Sequence, residues 1–202
     1  MEEKFKNRYA IKSGRLHSYD YSSDGMYFVT ICTKDREEFF GNVENGKMAL
    51  SEIGKIAEKF WQEIPKHFPF VNLDIYQIMP NHVHGIIEII KNDFVETQFI
   101  ASKNDNQDAL KCVSTGKISG GITGMKNPSL NPNSLSNIIK WYKGRCAFEI
   151  RKQLNPITFA WQPQFYDHVI RNDESLNKIR EYIFKNPAEW ERDKNNLENI
   201  FM

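Results

Sequence analysis

With 202 residues, 40% of them hydrophobic, the chain can bury one sizeable core, and a single domain with additions is expected rather than two. Its 27 basic and 26 acidic side chains leave a net charge of +1, so any sign of a nucleic-acid partner has to be local. Cys32, Cys112 and Cys146 are too scattered for a disulfide framework or a thiolate metal site, and no run approaches the roughly 18 apolar residues of a membrane span or forms a signal-type core; a reduced, cytoplasmic protein is expected.

Residues 1–18 are polar and basic, with Arg8, Lys12 and Arg15, and read as a partly ordered arm. The run from Met26 to Thr33 is β-branched and aromatic behind Asp24-Gly25, the pattern of a central strand. Asn45-Gly46, between short apolar pieces, is a strong hairpin signal. Ser51 can cap a helix with Ile53, Ile56, Ala57, Phe60 and Ile64 on one face, and Pro65 is expected to end it. Val71 to Met79 alternates apolar and polar residues as a half-buried strand does, and after Pro80-Asn81 an apolar strand is expected to run back antiparallel to it.

Residues 92–133 change character: they hold four of the eleven glycines, no Trp or Tyr, and much Asn, Ser and Lys, and read as a long flexible insertion. Gly116-Lys117 lacks the spacing of a phosphate loop. Ser134 opens a helix with Leu135, Ile138, Ile139, Tyr142, Cys146 and Ile150 on one face. Its other faces carry Lys140, Lys143, Arg145, Arg151 and Lys152 against Glu149 alone, which concentrates positive charge there. An irregular strand or loop with Trp161, Phe165 and Tyr166 leads to Arg171. Asp173 is expected to cap a last helix running to about Asn186 before Pro187, and Trp190 to pack back on the body ahead of a tail at 193–202.

Two places carry chemistry. His82 and His84 flank one residue at a strand start, so both imidazoles point to one face, where they can share a divalent metal or simply sit on a solvated edge. Tyr182 and Asn186 are four apart, one above the other on a helix face. They suit a nucleophile beside an amide ligand, or a core-edge tyrosine with an Asn closing the helix. His168 reads as a structural histidine. The cations named above, with Arg171, could track phosphates, while Trp141, Trp161, Phe165 and Tyr166 could stack bases.

Taken in order, several stretches resemble the HUH (His-hydrophobic-His) single-tyrosine transposases, the insertion-sequence-200-like family that includes REP-associated tyrosine transposases. They are Tyr19-Asp20-Tyr21-Ser22, Tyr27 to Thr33, Met79-Pro80-Asn81-His82-Val83-His84-Gly85, Ser134-Leu135-Ser136, Trp161-Gln162, Asp167-His168-Val169-Ile170-Arg171-Asn172, and Tyr182-Ile183 with Asn186-Pro187. The resemblance covers 19–192, and the insertion departs from it. It implies an α+β fold, an antiparallel sheet of ferredoxin or RRM type with helices packed mainly on one face, which agrees with the element order. It implies His82, His84 and Asn186 as ligands of Mg²⁺ or Mn²⁺, with Tyr182 as nucleophile. The implied reaction is nicking and strand transfer on single-stranded, hairpin-bearing DNA through a 5′-phosphotyrosine link. It leaves open a homodimer sharing its tyrosine helices or a monomer, and a domesticated protein that binds single strands without transposing. A metal hydrolase using the two histidines and a carboxylate is the remaining alternative, and no H-E-x-x-H motif supports it.

Overall fold

The computed structural model describes residues 4–5, 8–9, 19–90, 131–154 and 158–190. Most of the expected arm, residues 92–130 of the expected insertion, and the tail lie outside the described residues. Within the arm, Lys4–Phe5 (β1) pairs with Arg8–Tyr9 (β2). The remaining elements are β3 (Gly25–Cys32), β4 (Gly41–Glu44), β5 (Lys47–Leu50), α1 (Glu52–Gln62), α2 (Ile64–His67), β6 (Val71–Met79), β7 (His82–Ile89), α3 (Leu135–Gln153), β8 (Tyr166–Ile170) and α4 (Asp173–Lys185).

The main sheet has the order β6-β7-β3-β8 and every pairing is antiparallel. The fold is therefore the expected α+β one. Because side chains alternate across a strand, the sheet has two chemically different faces. Tyr27, Val29, Ile31, Val83, Ile87 and Ile89 point into the larger core, under α1, α2 and α3. Phe28, Ile86 and Ile170 point the other way, into a smaller core closed by Leu176, Ile179 and Ile183 of α4. Among the described residues, three helices thus cover one face and one helix the other.

Local signals explain most boundaries. Ser51 Oγ accepts from Gly54 N at 3.1 Å and Ser134 Oγ from Asn137 N at 3.3 Å, so both hydroxyls cap as their sequence positions suggest. The six apolar positions expected for α3 are all buried. Asn45 and Gly46 sit at φ 51° and 71°, the left-handed pair of a tight hairpin turn. Two expectations are corrected. Pro65 does not end a helix: α1 has already stopped at Gln62, and Pro65 stands in the first turn of α2, where its missing N–H has no intrahelical partner to lose. The last helix is capped by Asn172, whose Oδ1 accepts from Ser175 N at 2.8 Å; Asp173 is its first residue.

The turn ahead of β7 is pinned from outside. Phe40 N donates to Pro80 O at 2.9 Å, and Thr33 donates to Asn81 O from both its amide (2.9 Å) and its hydroxyl (3.0 Å). At the other end of the molecule Asp20 Oδ1 accepts from both the amide and the hydroxyl of Ser22. Ser22 Oγ in turn accepts from Asn131 Nδ2, and Leu135 N donates to Tyr21 O, which ties residues 19–22 to the start of α3.

Candidate active site

The histidine pair lies on the face of the sheet that α4 covers. In the β3–β7 ladder Cys32 stands opposite His82, Thr30 opposite His84 and Phe28 opposite Ile86, so these side chains share one face. His82 is 4% exposed and His84 fully buried. Their Nε2 atoms face each other at 2.8 Å, with ring centroids 4.2 Å apart. The Tyr182 hydroxyl, from α4, comes to 3.1 Å from His84 Nε2. One chain thus supplies both halves of the cluster.

Phe28 is the packing hub beneath it. Its ring stacks on His84 at 5.5 Å with the planes 26° apart and lies edge-on to Tyr182 at 6.3 Å, and its own burial is complete. Tyr166, opposite Thr30 on β8, meets the same ring edge-on at 6.5 Å and is 37% exposed, a partly open aromatic on the site's face of the sheet. On the other flank Gln77 stands opposite His84. Beyond α4 the chain continues with helical hydrogen bonds, Ala188 N and Glu189 N to Lys185 O, so Tyr182, Asn186 and Trp190 fall four apart along one side. Tyr182 touches His84 and the Trp190 ring lies 5.9 Å from His82, so Asn186, only 2% exposed, is held between two residues that contact the pair.

The donor set fits a divalent cation. Two imidazole nitrogens bound to one ion stand about 3 Å apart when each bond is about 2.1 Å and the angle near 90°, close to the separation here. Nδ1 of each ring is already engaged, by Asn81 Oδ1 for His82 and by Thr30 Oγ1 for His84, both at 2.8 Å, which leaves both Nε2 atoms to face inward. Among the described residues no three His, Cys, Asp or Glu side chains gather as a metal cage, and the Asn186 amide is an uncharged oxygen donor near the pair. Imidazoles with an amide oxygen do not by themselves select among Mg²⁺, Mn²⁺ and Zn²⁺.

The predicted cations are placed elsewhere. α3 lies over the opposite face of the sheet, with Lys140, Arg145, Arg151 and Lys152 exposed on it. Arg145 stacks over the rings of Phe60 and Phe148 at 5.1 and 5.8 Å. Lys143 is more enclosed: its ammonium donates to Gln162 O at 2.5 Å and to Pro163 O at 3.2 Å, and burial pushes its pKa down to about 8. Trp161 Nε1 donates back to Lys143 O, so this lysine pins the loop leading to β8. Arg171 is exposed at the end of β8. His168 stands opposite Phe28 on the site's face of the sheet, half-buried, with its pKa lowered by burial and then by Arg171.

Sequence reasoning passed over Thr30, Phe28 and the Asn81 side chain as parts of this cluster. A single threonine among apolar neighbours in a buried strand was the available signal for Thr30; its register against His84 was not.

No protein-family model matches the chain. It is 36% identical to an uncharacterized protein of Haemophilus influenzae over 183 residues, 91% of each chain. It is 20% identical over 172 residues to a second protein of that organism, named "Putative REP-associated tyrosine transposase", covering 84% of this chain and 73% of that one. Among solved structures, that of a REP-associated tyrosine transposase bound to a REP hairpin superposes with a TM-score of 0.54 at 14% identity, over 88% of this chain and 74% of the other. The chain therefore belongs to one family with the 36%-identical Haemophilus influenzae protein, and its fold is that of a REP-associated tyrosine transposase.

Proposed function

We propose that the protein is a single-tyrosine transposase acting on single-stranded DNA, in which Tyr182 is the nucleophile and His82, His84 and Asn186 hold a divalent cation, Mg²⁺ or Mn²⁺. The observation that carries this reading is the 3.1 Å approach of the Tyr182 hydroxyl to His84 Nε2, at the edge of a pair of imidazoles whose Nε2 atoms converge. A tyrosine placed only to fill the core edge has no need to bring its oxygen to an inward-facing ring nitrogen.

In the proposed reaction the Tyr182 oxygen forms a bond to phosphorus as the bond from phosphorus to the 3′ oxygen breaks, and the phenol proton lost is balanced by the one gained at the departing 3′-hydroxyl. The phosphodiester is conserved as a 5′-phosphotyrosine, so a second 3′-hydroxyl can reverse the step and join strands without a nucleotide cofactor. When bound, the cation stabilises charge on the phosphoryl oxygens and orients the scissile bond. The chain's own part is positional. β7 holds the imidazoles and Phe28 holds the rings of His84 and Tyr182 at fixed angles. Tyr166 offers a face on which a base beside the scissile phosphate can stack. The structural neighbour is bound to a REP hairpin, and hairpin-bearing single strands are accordingly the substrate class proposed here. Lys140, Arg145, Arg151, Lys152 and Arg171 are exposed and available to phosphates; Lys143 serves mainly to hold the 162–163 loop.

The test is to incubate the protein with labelled hairpin oligonucleotides from the DNA flanking its gene, with Mn²⁺, and to run denaturing gels. A covalent protein–DNA band is expected that needs the metal and is abolished in Tyr182→Phe, while single-strand binding of the variant stays within about twofold. A band that persists in Tyr182→Phe removes this tyrosine from the reaction. Binding without any band in the wild type identifies a binding module on the same fold.

A further inference from the structure

The two histidines differ in what holds their outer nitrogens. His82 Nδ1 lies 2.8 Å from Asn81 Oδ1, a carbonyl oxygen that can only accept, so the proton of a neutral His82 is on Nδ1 and its Nε2 presents a lone pair. His84 Nδ1 lies 2.8 Å from Thr30 Oγ1, a hydroxyl that can either donate or accept. Two lone pairs facing each other at the observed 2.8 Å would repel; that distance is a hydrogen bond if His84 carries its proton on Nε2 and donates it to His82, with the Tyr182 hydroxyl, 3.1 Å from the same nitrogen, accepting a share of that N–H rather than donating to it. His84 Nδ1 is then an acceptor, and the Thr30 hydroxyl donates to it. All four groups, Asn81, His82, His84 and Thr30, are 7% exposed or less, so water does not readily replace these partners.

A cation bound by both rings requires a lone pair on both Nε2 atoms. His82 meets that requirement as it stands. His84 meets it only by giving up the Nε2 proton and taking one on Nδ1, with no net change in charge, and this needs a partner at Nδ1 that can turn from donor to acceptor. Thr30 is such a partner, and it stands directly opposite His84 in the ladder. We propose that Asn81 and Thr30 are positioning residues of the metal site: Asn81 fixes His82 in the form ready to bind, and the Thr30 hydroxyl lets His84 shift its proton from Nε2 to Nδ1 when a divalent cation enters. The proposal rests on the reading of the two histidines as metal ligands. It adds two residues that reach the cation only through others, and partners of this kind typically change metal affinity by about 10- to 100-fold.

Isothermal titration with Mn²⁺, in the absence of DNA, tests it on the intact protein. Thr30→Val keeps the shape and removes the hydroxyl, and it is expected to weaken Mn²⁺ binding by at least about tenfold; Thr30→Ser, which keeps the hydroxyl, should bind as the wild type does. Asn81→Leu should weaken binding similarly, whereas Asn81→Asp, which still accepts at Nδ1, should not. Histidine ¹⁵N spectra of the metal-free protein supply a second readout. They should show His82 protonated at Nδ1 and His84 at Nε2, with His84 changing to Nδ1 on addition of Mg²⁺. Thr30→Val that binds Mn²⁺ with unaltered affinity while its melting temperature is unchanged overturns the role of Thr30. A wild type that binds no divalent cation sinks the metal reading itself; the spectra then decide the proton placement alone, and a His82 protonated at Nε2 overturns the proposal.

Discussion

Gly85 follows His84 directly in β7, and its missing side chain matters for the position of both imidazoles. A Cβ built there would come within 2.2 Å of the Trp61 indole, a ring that is itself fully buried and wedged against Tyr142. Neither Trp61 nor the strand can yield cheaply, since the indole is packed on the far side and β7 is hydrogen-bonded on both edges. Gly85→Ala is therefore expected to cost about 1–3 kcal/mol of stability, the usual range for overpacking, and to push the histidine strand off α1 towards α4, disturbing the imidazole geometry. Urea unfolding measures the first effect; the second appears as loss of Mn²⁺ affinity beyond what the stability change explains. Two short spacings, i to i+2 in a strand and i to i+4 in a helix, put the two histidines on one face and Tyr182 and Asn186 on another without knowledge of the fold, but left their roles open; it was the family resemblance that singled them out as a site. Thr30 and Phe28 were not legible in the sequence, because they join the cluster through the pairing of strands 54 and 58 residues apart in sequence (84 − 30 and 86 − 28), and register across such a distance leaves no local mark.

At the scale of elements, the question is what keeps α4 seated over the histidines. Apolar contact from Leu176, Ile179 and Ile183 supplies most of it. The second tie is ionic: Arg180 donates from Nε and Nη2 to the Asp74 carboxylate, at 3.1 Å and 2.5 Å to Oδ2, across 106 residues. Asp74 sits where the β6–β7 register shifts between Leu73 and Tyr76, and its Oδ1 also accepts from Ile75 N. Asp74 shares the α4 face with Asn72 by alternation, and the irregularity adds Ile75 to that face before Tyr76 returns to the other. The Arg180 guanidinium, first, and the Ile75 amide hold the Asp74 pKa below its usual value against the opposing effect of burial. A depressed carboxylate pKa contributes stability that is present above the unfolded value, about 4 for aspartate, and that is lost as pH falls through the folded one. Removing the carboxylate charge with Asp74→Asn should therefore flatten the acid limb of the stability profile below about pH 4. It should also speed hydrogen exchange across 173–185 more than across β3 or β7. Equal exchange in variant and wild type would mean that apolar packing alone seats the helix. The sequence indicated the helix and its apolar stripe, and the break in alternation at Ile75-Tyr76 marks the bulge, but the pairing of Asp74 with Arg180, 106 residues on, leaves no local mark.

For the whole molecule, the main consequence of the topology is that the sheet separates two functions the sequence could only place side by side. The histidines and Tyr182 of the proposed site sit on the α4 face, whereas four of the five cations expected on α3 are exposed over the opposite layer. Residues touching the reacting phosphate and residues on α3 should then affect different observables. If Lys140, Arg145, Arg151 and Lys152 follow the backbone of a bound strand or hairpin stem, replacing all four by Gln removes up to four phosphate contacts, and each is worth about 0.7 in the slope of log affinity against log salt for a single strand. The slope should become shallower by nearly 3, with affinity at low salt reduced by orders of magnitude. The rate of covalent attachment at saturating DNA should stay within about twofold of the wild type, because none of the four stands on the face of the sheet that carries Tyr182 or the histidines. Filter binding over a salt series, paired with single-turnover attachment, reads both quantities on the same variant. A changed attachment rate with an unchanged salt slope would reverse the assignment, making α3 a support for the core and leaving Tyr166, Arg171 and the rim of the α4 face as the surface the DNA follows.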